Sequence, residues 1–246
     1  MVVLGSMAAS SVLRAESLKG AHDASGISSA LNHFGVSQEN MKKVLAAALE
    51  KGGDYADLFF EHTFNNYVGL QDGAVNRCNS NIDFGVGIRV LAGDQTGYAY
   101  VENVTLKEML NAARTAARIA TGGKATLPVA LTDKPIKTNY YSVKMPWEEV
   151  ILKNKMPYLQ RLNDRIFALD KRVHKVSASL TDTTSHILFC NSEGVMYYDY
   201  RPMVTLGAVC IMEENGKVEN GYAARAYRMG FEFLNDDVVE LLAQED

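Results

Sequence analysis

Five histidines, three cysteines and two arginines beside acids or glycines are the residues whose types could carry chemistry in this 246-residue chain. The histidines are His22, His33, His62, His174 and His186, and no two lie within one helical turn of each other. The His-Glu-x-x-His spacing that puts two imidazoles on one helix face is absent, and so is Cys-x-x-Cys. Cys78, Cys190 and Cys210 are far apart and odd in number, which suits neither a disulfide framework nor a local metal site. A reducing compartment, or cysteines serving as small core residues, fits them. There is no Gly-x-Ser-x-Gly elbow and no phosphate-binding loop. His62 sits on an otherwise apolar strand face, so it reads as a satisfied core histidine. Asp54 and Asp57 flank a strand start, where acids are routine. Tyr197, Tyr198 and Tyr200 could stack on a ligand, but at alternating strand positions packing is the stronger reading.

The stretch Phe84 to Tyr100 is unusual in its glycines. Phe84, Val86, Ile88 and Val90 share one strand face, and Gly85, Gly87 and Arg89 share the other. Glycine inside a strand weakens it, so two on one face mark a close approach by a ligand, another chain or a neighbouring element. Arg89 could reach a peptide carboxylate or a partner's acid through its guanidinium. Arg201, beside Asp199 and before Pro202, could do the same. For each, a local ion pair or a solvated arginine competes with that role. Long, half-polar strands also offer edges to which an extended peptide could add as a strand.

The elements that must position these residues give an α+β chain. Residues 1–36 read as a flexible extension. Its first fifteen residues resemble the apolar part of an export signal without the basic start. Residues 37–122 read helix, four strands, helix. Ser37 caps a helix near 38–51, with Val36 and Met41 at staple spacing. A long strand with Leu58, Phe60, Phe64, Val68 and Leu70 follows. Asp72-Gly73 turns it into a short strand near 74–79, and the glycine hairpin comes next. A helix spans about 106–121, with Thr105 and Glu108 as capping box. Residues 123–145 read as a connection. Pro146 suits the start of a helix, and Pro157 predicts a kink or two successive helices, about 147–155 and 157–169. An antiparallel meander of five strands follows at 173–180, 186–190, 195–200, 204–212 and 218–226. Asn235 then caps a last helix. Residues 146–246 thus form a middle domain, helical then β-rich, and its ending reads as that of a truncated domain.

Composition excludes several classes. Charge is -4 with a pI near 5.8 and no basic run, so nucleic acid is not an expected direct partner. No segment approaches the roughly 20 apolar residues that cross a bilayer.

Gly85-Val86-Gly87-Ile88-Arg89-Val90-Leu91, followed by Gly97-Tyr98-Ala99-Tyr100, resembles the signature of the TldD/PmbA family of zinc metalloproteases, also labelled modulators of DNA gyrase. Asp54-Tyr55-Ala56-Asp57, Leu70-Gln71-Asp72-Gly73, Asn191-Ser192-Glu193-Gly194 and Asp199-Tyr200-Arg201-Pro202 agree in order. The last of these, with Glu214-Asn215-Gly216, is more similar to the TldD branch. The resemblance covers about residues 38–246. It implies a cytoplasmic peptidase, or an exported one if the first residues are a signal, acting on small or unfolded peptides. It implies a homodimer or a TldD–TldE heterodimer. It implies zinc held by a His-Glu-x-x-x-His helix in a C-terminal metalloprotease half that this sequence lacks. No zinc ligand and no catalytic residue is carried onto this chain. The expected role is therefore non-catalytic: assembly and extended-peptide binding, with no zinc bound here. The alternative is a stand-alone regulatory module that pairs with an intact family member.

Overall fold

The computed structural model describes residues 26–122, 127–136, 141 and 143–245. The first helix, α1, is Ile27–Phe34, within the stretch read from sequence as a flexible extension. Ile27, Ala30 and Phe34 fall on one side at helical spacing and are buried, and Gly35 ends the helix in the left-handed conformation. Small polar residues around these three conceal the stripe in the sequence. The signal-like first residues lie outside the described ones.

Helix α2 is Gln38–Leu49, and the Ser37 hydroxyl accepts from the Asn40 N–H at 3.1 Å as its cap. Met41, Leu45 and Leu49 are fully buried, each contributing roughly 1.5–3 kcal/mol from apolar burial. Strands β1 (Tyr55–Gln71), β2 (Ala74–Ala92) and β3 (Gln95–Val101) follow. Three strands stand where four were expected, because the short strand near 74–79 and the first arm of the hairpin are one. The run 79–83, polar but for Ile82, reads as a break, but these positions are exposed, so strand structure there buries no polar side chain. Asp72 and Gly73 both have positive φ, as a tight two-residue hairpin turn needs.

Helix α3 (Leu106–Ile119) is capped by Thr105, and it packs on α2 and β3 through Met109, Ala112, Ala113, Ala116 and Ala117. A two-residue strand, β4 (Thr132–Asp133), runs parallel to Val195–Met196 within the expected connection. A 3-10 turn at Trp147–Glu149 precedes α4, Leu152–Leu169. The helix boundary falls before residue 152 rather than at Pro157, which lies inside α4. One missing backbone donor in the second turn of an 18-residue helix is outweighed by the burial of Leu159, Leu162 and Ile166.

Strands β5 (Val173–Asn191), β6 (Val195–Glu214) and β7 (Lys217–Tyr227) replace the five short strands of the expected meander. The polar run Thr181-Asp182-Thr183-Thr184-Ser185 does not break β5. Its side chains find partners instead: Thr183 donates to Asn65 at 2.7 Å and Thr63 to Ser185 at 2.7 Å. Helix α5 (Asp236–Glu245) is capped by Asn235, whose side chain accepts from the Val238 N–H at 2.9 Å.

The seven strands hydrogen-bond in the order β3-β2-β1-β5-β6-β4, with β7 also on β6. The described residues of Met1–His62, Asp83–Thr138 and His186–Tyr200 form one compact unit. Those of Thr63–Ile82, Asn139–Ser185 and Arg201–Asp246 form the other, so β1, β2, β5 and β6 contribute to both. The first unit's core gathers α1, α2 and α3 over Leu58, Phe60, Val86, Ile88 and Leu188. The second gathers α4 and α5 over Val68, Leu70, Val176, Leu180, Val204 and Leu206. No helix of the described residues is long and apolar enough to cross a membrane.

Candidate functional site

The paired glycines of β2 are seats for two tyrosine rings of β3. Gly87 pairs with Tyr100 and Arg89 with Tyr98 across the antiparallel ladder, so all four share a face. Each ring slants to the next glycine along. A Cβ on Gly85 would lie 2.5 Å from the Tyr100 hydroxyl, and one on Gly87 2.5 Å from the Tyr98 hydroxyl. The Tyr100 hydroxyl donates to the Phe84 carbonyl at 3.1 Å. The close approach is thus made by the same chain. Tyr98 and Tyr100 remain 57% and 48% exposed, so this face stays open. Partial burial, and then the carboxylates of Glu102, Asp83 and Glu61, push the Tyr100 hydroxyl above its ordinary pKa.

Arg89, the first candidate, reaches Asp57. Its Nε and Nη2 donate to one Asp57 carboxylate oxygen at 2.9 and 2.6 Å. Asp57 is buried while the arginine side chain is 48% exposed. The bonds to Asp57, and then its charge, raise the Arg89 pKa further. Arg201, the second candidate, lies half-buried on β6 in the other unit, followed by buried Pro202.

The segments around Arg89 lock one another. Asp54 accepts from the Gly93 N–H at 2.7 Å. The Ser192 hydroxyl accepts from the Ala56 N–H at 3.1 Å, and the Ser192 N–H donates to the Ala56 carbonyl at 2.8 Å. The Asn191 side chain accepts from the Val195 N–H at 2.9 Å, closing the β5–β6 turn. In the second unit, Asp72 exchanges bonds with the Val176 backbone at 2.9 Å. The motifs that stood out in the sequence therefore fasten turns to strands.

Among the described residues, part of one strand edge has no strand paired to it. The ladder to β3 begins at Val86, so β2 residues 74–82 are paired by β1 on one side and left by β3 on the other. All nine are exposed. Arg77 lies over the Tyr67 ring at 5.4 Å, and Ser80 donates to Asn66 at 2.8 Å.

Sequence reasoning missed one cluster. His33, His62 and His186 come into ring contact in the first unit. His33 was hidden in the apparent extension, and only the pairing of β1 with β5 brings the other two together. A metal needs lone pairs converging on one point. Here one His62 nitrogen shares a hydrogen bond with His33 while the His33 and His186 rings stack. Among the described residues, no group of three or more His, Cys, Asp or Glu is arranged to hold a metal ion. Burial pushes the Cys190 thiol far up, which makes it inert as a nucleophile.

Two family models match this chain: the PmbA/TldA metallopeptidase domain 1 over residues 56–120, and the PmbA/TldA metallopeptidase central domain over residues 146–245. A metalloprotease TldD homolog of Haemophilus influenzae is 31% identical over 196 residues, which are 77% of this chain and 40% of that protein. One from Buchnera aphidicola is 31% identical over 186 residues, 75% of this chain and 38% of that one. The chain thus spans about 40% of the length of the curated relatives it matches. Among solved structures, a protein named as a modulator of DNA gyrase from Bacteroides thetaiotaomicron superposes with a TM-score of 0.67. It shares 14% identity, over 84% of this chain and 48% of that one. TldE from Thermococcus kodakarensis gives 0.62 at 14% identity, over 83% and 46%. At such identities the likeness is one of fold. With both domain models matched in order along the chain, this protein belongs to the PmbA/TldD metallopeptidase family.

Proposed function

We propose that this chain is the assembly and peptide-presenting portion of a TldD-like metallopeptidase, and that hydrolysis lies with the rest of such a protein. The observation that carries this reading is the open edge of β2 at residues 74–82. An extended peptide laid there satisfies its own backbone donors and acceptors against those of the edge. Such bonds ask for an unfolded chain rather than a particular sequence, which suits small or unfolded peptides as substrate. Arg89 and Arg201 are the proposed contacts for a carboxylate of the peptide or of a partner subunit. The fold shared with TldE makes a TldD–TldE pairing the proposed assembly, with a homodimer as the simpler form.

Zinc, when bound by the whole enzyme, would supply an activated water for peptide hydrolysis. The residues described here do not fit a zinc site, so metal analysis of this chain should find less than about 0.1 equivalent. Stoichiometric zinc would overturn the assignment of the chemistry to other parts.

Amide hydrogen exchange with and without excess unstructured peptide tests the edge. Protection rising about tenfold or more within residues 74–82, and not in α2, is the expected result. Unchanged exchange there would remove the site. The stand-alone regulatory module is a second reading, favoured by the separate buried core of each unit. It requires this chain to form a stable complex with an intact family member in a sizing experiment.

A further inference from the structure

The histidine cluster of the first unit serves neither the peptide edge nor the glycine hairpin. His62 Nδ1 lies 2.9 Å from His33 Nε2, between residues 29 positions apart. The His33 ring stacks on His186 with centroids 4.6 Å apart and planes 27° apart. His186 is 1% exposed, and its Nδ1 is 2.7 Å from the Tyr198 hydroxyl. Among the groups that meet here are His33 from α1, His62 from β1, Phe84 from β2, His186 from β5, and Tyr198 and Tyr200 from β6. Strand alternation sends the neighbouring carboxylates, Glu61 and Asp83, to the opposite face, where both act on Tyr100.

An imidazole–imidazole hydrogen bond needs one N–H and one lone pair. Two neutral rings meet that need, and so does a pair carrying one added proton. His33 is in the last turn of α1, where the helix dipole favours a cation, so the first proton belongs there. His33 Nε2–H then donates to His62 Nδ1. A second proton, on His62, removes the acceptor and sets two N–H groups against each other.

We infer that the His33–His62 pair is a proton-operated latch that holds α1 on the sheet and lets it go when both rings are protonated. α1 has only eight residues, and its anchor Phe34 lies against Phe60 and Phe84 at 5.6 and 5.9 Å between ring centres. Release uncovers those three rings. The latched pair holds at most one added proton and the released pair takes two, so acid favours release. Each unit of falling pH therefore shifts the balance toward release by up to about tenfold.

Amide exchange of Ile27–Phe34 in the 246-residue chain between about pH 7.5 and pH 5 tests the latch, with α2 as internal reference. Protection of α1 should fall about tenfold or more relative to α2 once intrinsic rates are corrected. His33→Gln takes no proton, and its amide can donate to a neutral His62 or turn its oxygen to accept from a protonated one, so it should hold protection within about twofold over the same range. A pH-independent α1 in the native chain overturns the latch, and so does an equal loss in His33→Gln. If that variant does not fold, nitrogen NMR of the native imidazoles decides. Both rings doubly protonated while α1 stays protected would also overturn the inference.

Discussion

Gly97 of β3 lies in backbone contact with Ala116 of α3, so that a Cβ on Gly97 would be driven into the Ala116 carbonyl oxygen. The alanine face of α3 and this glycine are two halves of one close packing. Three strand glycines can then be ranked by what opposes them. At Gly97 the obstacle is helix backbone. At Gly85 it is the Val101 carbonyl at 2.5 Å together with the Tyr100 ring, and at Gly87 it is the end of the half-exposed Tyr98 side chain. Substitution by alanine should destabilise in that order, by about 3, about 2 and at most about 1 kcal/mol. Urea unfolding of the three variants reads the order directly. Equal losses would show that the strands shift as one body instead.

Arg89→Ala leaves the buried Asp57 carboxylate without its two short bonds. Because the arginine side chain is half exposed, water can partly replace it, and the loss should be about 1–2 kcal/mol. Arg89→Ala combined with Asp57→Ala should recover part of it, since the orphaned carboxylate is then gone. Peptide binding measured well below the variant's melting temperature separates the two roles. Weakened binding by a folded Arg89→Ala supports a contact, and unchanged binding leaves the residue as the partner of Asp57 alone.

Elements with a strong local signal were legible in the sequence. Ser37, Thr105 and Asn235 cap where their spacing to the following residues predicts, and Asp72-Gly73 and Asn215-Gly216 turn hairpins. Features decided by distant partners were not legible. The run 181–185 reads as a loop because its polar residues are matched by partners far away in the chain, among them Asn65, Asn66, Thr63, Glu148 and Lys155. α1 was hidden because its stripe is three residues long and its partners, Phe60 and Phe84, come later. The glycine pair marks a close approach, but residue type alone does not say that the approaching group is the next strand's own tyrosines.

Lys155 and Asp182 form an ion pair at 2.5 Å with side chains only 5% and 2% exposed. Asp182 also accepts from Asn66 at 2.9 Å, and the Lys155 ammonium lies 5.4 Å from the Trp147 ring. Removing one partner strands a buried charge. Lys155→Met should therefore cost about 3–5 kcal/mol. The double variant Lys155→Met with Asp182→Leu should cost clearly less, because neither charge is left. Thermal melts of the three proteins test this. A double variant as unstable as the single one would mean that the network with Asn66, rather than the charge balance, fixes α4 on β5.

Glu232 ties the strand-to-helix connection to the segment before Trp147. Its carboxylate accepts from the N–H groups of Lys144 and Met145 at 3.1 Å and of Gly230 at 3.3 Å. Partial burial pushes the carboxyl up, but the backbone donors outweigh it and hold Glu232 below its ordinary 4.5. A carboxyl depressed in the folded state binds fewer protons folded than unfolded. The stability it contributes is therefore present above about pH 4.5 and drains away as pH falls through the lower, folded value. Glu232→Gln keeps one acceptor oxygen and cannot titrate, so it should be less stable than the native chain at pH 7 while losing less between pH 5 and pH 3. Melting temperatures of both proteins across that window check the sign. A parallel decline in the two would assign the acid sensitivity to other carboxylates.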